Sequence, residues 1–344
     1  MLEYISRIFL LIPFFSYGII QNDTIKTLNL EEVIVKSAKI ISSKKNIPLS
    51  ISSKNVNNEQ QFAQQLSLQE YLKNIPGVFS TSANNFSQDL RLSIRGFGAR
   101  SSFGIRGIKI IVDGIPQTSP DGQTQLDNLP MGIMETIEVI RGPSANLYGN
   151  SSGGVISINT ISGDTKNKTN YKGIIGSYDY KSVVRLKTFN WDNTDLVLYY
   201  DNKESNGYRE FSGHKNQTLN LKLSHRFSEK SKLVFQLNST DSPYAYDPGG
   251  LNIDEVKSDR TKARQKNIDY KTKETIKHLK TGLSWMLDID NQTDIQSFVF
   301  YQHRDFYSLL PFNFGGIVSL DKNIFGLGSR LQKKKTKDNL INTF

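Results

Sequence analysis

Four segments between Arg91 and Thr160 decide the fold: Leu92-Ser-Ile-Arg95-Gly96-Phe97, Ile111-Val-Asp113-Gly114-Ile-Pro116, Glu138-Val-Ile-Arg141-Gly142-Pro143-Ser144-Ala145, and Tyr148-Gly149 with Gly153-Gly154-Val-Ile-Ser-Ile-Asn159-Thr160. Each joins a short β-branched run to glycine. The runs Leu90–Ile94, Ile108–Val112, Ile133–Ile140 and Val155–Ile158 read as strands. Glycines 96, 98, 104, 107, 114, 122, 142, 149, 153 and 154 sit between or beside them, as tight turns and close backbone packing require.

Working toward the N-terminus, Ser67 and Glu70 have capping-box spacing, and Leu66 and Tyr71 are placed as a hydrophobic staple. Leu68, Tyr71, Leu72 and Ile75 fall on one helical face, and Asn74-Ile-Pro76-Gly77 ends it. So short a helix needs a sheet to pack on. Residues 45–162 therefore read as a small α+β domain: a mixed sheet with short helices. The preceding Ser-, Lys- and Asn-rich residues 39–60 read as a tether.

Working outward in the other direction, the texture changes near Tyr171. Leu219, Leu221, Leu223, His225 and Phe227 alternate with polar residues, as do Leu233, Phe235 and Leu237, and Leu279, Thr281, Leu283, Trp285 and Leu287. Strands of about ten residues, apolar on one side only, suit a transmembrane barrel. The same alternation permits a soluble β-sandwich. Short turns such as Ser177–Tyr180 alternate with longer polar insertions such as Ser239–Thr272. About seven strands fit between residues 171 and 307.

The four segments, in this order and spacing, resemble the plug domain of TonB-dependent outer-membrane receptors. The resemblance implies a receptor for energy-coupled uptake of a scarce ligand, a ferric siderophore or similar iron chelate, in the cell outer membrane. It implies the TonB energy-transducing complex, a small ligand and outer-membrane lipid as partners. Residues 31–38 then resemble the TonB box, with Glu31, Glu32, Val33, Ile34 and Val35 as the coupling segment. The β-branched run suits strand addition to a partner's edge. Arg95 and Arg141, in matching Ile-Arg-Gly settings, are implied to latch the plug to glutamates of the barrel wall; pairing inside the plug with Glu135 or Glu138 is the alternative. The loops Phe97–Gly107 and Gln117–Gln125 resemble the apical plug loops of the ferric-citrate branch, with Arg100, Arg106 and Gln123 as ligand-binding residues. Arginine suits a chelate's carboxylates because it donates in a bidentate fork.

A barrel wide enough for a plug needs about 22 strands of about ten residues. Only 184 residues follow Thr160. The expected fold class is thus an α+β plug followed by an incomplete antiparallel transmembrane β-barrel over residues 168–344, the N-terminal portion of a truncated product. Lys333–Lys337 is expected to be poor strand.

Composition closes other routes. The chain has 344 residues and no cysteine, which excludes disulfides and thiolate metal sites. The net charge of +10 is scattered, and with no basic helix or zinc spacing it does not indicate nucleic acid. Arg7, the apolar run Ile8–Phe15 and Ser16-Tyr17-Gly18 read as a signal peptide over residues 1–18. His214, His225, His278 and His303 lack metal-ligand spacing, Gly142–Gly154 lacks the end of a phosphate-binding loop, and no activated nucleophile is in view. No enzyme, metal or cofactor is expected.

Overall fold

The computed structural model describes residues 34–35, 42–43, 47–60, 62–81, 85–101, 103–143, 148–163, 167–337 and 340–343. The signal peptide and Glu31, Glu32 and Val33 lie outside the described residues. Ile34–Val35 (β1) pairs antiparallel with Ser42–Ser43 (β2).

The plug is built on a five-stranded mixed sheet. Ile51–Asn55 (β3), Val78–Thr81 (β4), Arg91–Ile94 (β5), Ile105–Arg106 (β6), Ile108–Val112 (β7), Ile115–Pro116 (β8), Gln123–Thr124 (β9), Met134–Arg141 (β10) and Gly154–Thr160 (β11) follow in chain order. The main sheet runs β3-β10-β11-β7-β8, with β11 and β7 parallel. The pairs β4–β5 and β6–β9 stand apart from it. β10 and β11 are buried along nearly their whole length, as strands covered on both faces must be. Ile110, Ile137, Val139, Ile156 and Ile158 form one core with Leu68, Tyr71, Leu72 and Ile75.

The helix carrying that face is a single turn, Gln69–Leu72 (α2, after α1, Asn57–Gln60). Glu70 makes its half of the capping box, accepting from the Ser67 N–H at 3.2 Å and the Leu66 N–H at 2.7 Å. The Ser67 hydroxyl instead takes the Gln69 N–H at 3.3 Å. At Asp113-Gly114 both residues have positive φ, 47° and 82°, and β7 and β8 pair through Val112 and Ile115. A two-residue Asp-Gly connection of this kind matches strand twist, and glycine accepts the second position without strain.

From residue 168 the chain is a meander of nine strands, each paired with the next: Lys168–Ile175 (β12), Lys181–Trp191 (β13), Thr194–Ser205 (β14), His214–Ser228 (β15), Ser231–Tyr246 (β16), Lys273–Asp290 (β17), Thr293–Leu309 (β18), Ile317–Lys337 (β19) and Leu340–Thr343 (β20). The fold is a plug followed by a partial antiparallel barrel wall. Seven strands fall between residues 168 and 309. On β14 burial alternates, with Val197, Tyr199, Asp201, Lys203 and Ser205 facing inward. The opposite face shows Leu198, Leu223, Leu283, Trp285, Val299 and Phe325, all at least 36% exposed. That exposed apolar band is the surface a membrane wall presents. No helix among the described residues is long and apolar enough to cross a membrane.

Three details depart from the sequence reading. β16 continues through Ser239 to Tyr246, so the long insertion begins at residue 247 and holds two short helices, Ile253–Ser258 (α3) and Gln265–Asp269 (α4). The turn at 177–180 lies at the same end of the sheet as that insertion, whereas the two-residue turns at 192–193, 229–230 and 291–292 mark the other end. Lys333–Lys337 continues β19, because hydrogen bonding to neighbours, not lipid contact, holds a strand beyond the apolar band.

Candidate functional site

The inner face of the wall meets the plug mainly through one stretch, Asp113 to Asn128. At its start the Asp113 carboxylate accepts from the Thr160 N–H (2.9 Å) and hydroxyl (2.6 Å), tying the β7–β8 turn to the end of β11. Lys222 of β15 reaches the same carboxylate at 3.0 Å and donates to the Thr160 carbonyl at 3.2 Å. Lys280 of β17 donates to the Pro116 carbonyl at 2.7 Å and the Gln117 side-chain oxygen at 3.0 Å. Arg304 of β18 forks onto Asp127 at 2.9 and 2.6 Å, the paired geometry in which guanidinium binds carboxylate best. Asn128 bridges Gln117 and the His278 ring, each at 2.8 Å.

Burial pushes the Asp127 carboxyl up, but the charge and hydrogen bonds of Arg304 outweigh it and hold the group below the ordinary aspartate value. Asp89, which accepts the Gly104 N–H at 2.7 Å, is raised instead, by burial and then by the neighbouring Asp127.

Plug residues on either side of that stretch meet the wall differently. Lys172 donates to the carbonyls of Gln60 and Ala63 at 2.9 and 2.7 Å, and the Tyr180 hydroxyl to that of Gln64 at 3.2 Å. The Tyr199 hydroxyl receives the Gly132 N–H at 3.2 Å and donates to Asp201 at 2.8 Å. These bonds use plug backbone, so they fix position with little dependence on plug side chains.

Arg100 and Arg106 are both exposed. Arg106 is opposite Gln123 in the β6–β9 pair and donates to the Asp121 carbonyl at 3.0 Å. Phe97 and Phe103, in the same loop, are 50% and 73% exposed. Upstream of this loop, Asn85 donates to Asp247 at 2.8 Å and Phe86 stacks on His214, both at the long-loop end of the wall, and Asp89 ties the loop to that stretch through the Gly104 N–H.

Arg95 and Arg141 come together at the other candidate site. Both reach the Ser50 hydroxyl, Arg95 at 3.5 Å and Arg141 at 3.0 Å, and Arg141 also donates to the Pro76 carbonyl at 2.7 Å. Arg95 has φ of 51°, and Gly77 between the two side chains has φ of 75°. Of the coupling segment, Ile34 and Val35 are the described part, as β1.

The sequence reading did not single out Asp127, Lys222, Lys280 or Arg304. Alternation along β15, β17 and β18 would have placed the three cations on the inner face; the residues they meet are far away in sequence.

A plug carried on the inner face of an antiparallel wall, with an apolar band outside, is the arrangement of a plugged outer-membrane barrel. The plug of this chain is of a known family: residues 43–155 match the TonB-dependent Receptor Plug Domain. The chain is 29% identical over 196 residues to a vitamin B12 transporter of Vibrio vulnificus, a match covering 53% of this chain and 31% of that protein. It is 37% identical over 94 residues to a hemin receptor of Yersinia enterocolitica, covering 27% of this chain and 12% of the receptor. Its fold superposes on the ferric citrate transporter FecA with a TM-score of 0.67 at 22% identity, covering 85% of this chain and 45% of that one. The chain thus spans about a third or less of the length of these curated relatives and under half of the solved receptor.

Proposed function

We propose that the chain serves energy-coupled uptake of an iron chelate across the outer membrane, as the plug and adjoining wall of a receptor pulled by the TonB complex. In this reading residues 31–35 (Glu31, Glu32, Val33, Ile34 and Val35) recruit the transducer by strand addition. Arg95 and Arg141 take carboxylates of the wall as a latch, and Arg100, Arg106 and Gln123 meet the ligand. The observation that supports it best is the apical segment, where Arg100, Arg106, Phe97 and Phe103 are all exposed within one loop. Cations beside aromatic faces suit a chelate with carboxylates and an apolar body. The relatives fit this reading, since vitamin B12, hemin and ferric citrate are all metal chelates.

Two measurements test it. Replacing Arg100 and Arg106 with alanine is expected to weaken binding of ferric citrate in titration calorimetry and to spare a neutral chelate. The loss should be modest, because exposed charges are screened. Equal loss for both ligands would point to misfolding, and no loss for either would leave these arginines as solvated loop residues. Separately, Val33→Pro removes a backbone donor and should abolish capture by the transducer's periplasmic domain; unchanged capture would refute the coupling segment.

A further inference from the structure

The wall neutralises some of its cations itself and leaves others to the plug. Lys203 pairs with Asp201 at 2.7 Å, Arg226 with Asp195 at 3.5 Å, and Arg330 with Asp294 at 2.8 Å, all within the wall. Lys222, Lys280, Arg304 and Lys322 instead meet plug atoms: Asp113, the Pro116 carbonyl and Gln117, Asp127, and Asp121 at 3.5 Å.

Their register places them in order. Arg304 and Lys322 are directly opposite each other on β18 and β19. Two like charges in that position repel, and here plug aspartates lie against both. Lys280 is two residues further along β17 than His278, the partner of Arg304. Lys222 is opposite Gln236, which is opposite Gly282, two residues further again. The cations therefore descend the inner wall from the long-loop end toward the short turns, in steps of about 7 Å. Asn238, opposite Lys280, adds a buried side-chain N–H without a hydrogen-bond partner among the described residues. Glu274 lies at the upper end of β17, where burial and then the nearby Asp89 and Asp127 disfavour its charged form, so it opposes this charge weakly.

We infer that the plug masks an anion-selective lumen: once residues 113–128 withdraw, Lys222, Lys280, Arg304 and Lys322 form a ladder that takes a multivalent anion such as a polycarboxylate. The plug aspartates occupy the positions the anion's carboxylates would take. This rests on the receptor reading, in which the plug yields, and adds the charge class of what passes. It also gives selectivity the usual form, a row of fixed charges lining the path.

The test uses the full chain in detergent, with Arg100→Ala and Arg106→Ala present so that the apical loop contributes nothing. Iron-free citrate is the probe and spermine the control of opposite charge. Replacing Asp113, Asp121 and Asp127 with asparagine is expected to raise citrate binding in equilibrium dialysis by about tenfold, since charge-assisted contacts become free. Adding Lys222→Gln, Lys280→Gln and Lys322→Gln should return it to the starting level. No gain on unmasking, or a gain that survives loss of the lysines, overturns the inference.

If the asparagine variant does not fold, as circular dichroism would show, hydrogen exchange on the chain with native aspartates decides. Citrate should speed exchange of residues 113–128 and spermine at equal ionic strength should not; equal response to both, or to neither, overturns the inference. A failure here with Val33→Pro still abolishing capture would remove the ladder and leave the coupled receptor standing. The converse result would remove coupling and leave the ladder.

Discussion

The interior of the plug and its seam with the wall are built from opposite materials. The interior is apolar: Ile110, Ile137, Val139, Ile156 and Ile158 on the sheet pack against Leu68, Tyr71 and Leu72, each at most 1% exposed. The seam is polar, held by Asp127–Arg304, Asp113–Lys222, Gln117–Lys280 and Asn128–His278. Burying the first set is favourable in any surroundings that exclude water. Each bond of the second set replaces a bond to water and gains only about 0.5–1.5 kcal/mol net, or about 1.5–3 kcal/mol where a charged group takes part. A body with an apolar inside and a polar outside can separate from its wall without losing its own fold.

The contrast is broken most severely from the interior. Ile137→Ala removes methyl groups from a fully buried site and is expected to destabilise the plug by about 2–5 kcal/mol. Hydrogen exchange should quicken throughout residues 51–160 as one unit. Acceleration confined to β10 would mean the interior is not cooperative, and the comparison would lose its first term.

The seam should give less and give locally. Arg304→Gln leaves Asp127 without its fork; because Asp127 keeps 24% of its side-chain surface, the cost should lie near the low end for breaking a buried pair, about 3 kcal/mol. Exchange should quicken in residues 113–128 while β10 and β11 stay protected. A double-mutant cycle with Asp127→Asn should recover a positive coupling energy, and additivity would show that the pair contributes nothing.

How much of this was legible in the sequence follows the same division. The plug's strands and the Leu68–Ile75 face could be read because the apolar positions carry the period of the element that buries them. The wall could be read because lipid on one side imposes a strict alternation. Where β16 and β19 extend beyond the apolar band the alternation stops, so Ser239 to Tyr246 read as part of a loop and Lys333 to Lys337 as poor strand. The seam was least legible. Arg304 and Asp127 are 177 residues apart, and no local pattern records which inward cation meets which plug carboxylate. Asp113 stood inside a quoted motif, yet its sequence signal is that of the turn; its tie to Thr160 and Lys222 is visible only in space.

Acidification should produce the smallest effect and one with a definite sign. Asp127 is held below its ordinary value in the folded chain, so it contributes stability that is present above the unfolded aspartate value and is lost as pH falls through the folded one. Asp89 has the opposite shift, so its protonation, which comes first as pH falls, relieves a cost instead of adding one. The two windows adjoin: the Asp89 gain comes above the ordinary aspartate value and the Asp127 loss below it. Attachment of residues 113–128 should therefore not weaken on mild acidification, and should weaken only below the ordinary aspartate value of about 4. Following the exchange of that segment against pH tests this directly. Asp127→Asn should flatten the acid limb, and Asp89→Asn should remove the gain that precedes it. If the native profile falls smoothly from neutral pH, or if Asp127→Asn leaves the limb unchanged, the seam is held by something other than the Asp127–Arg304 pair.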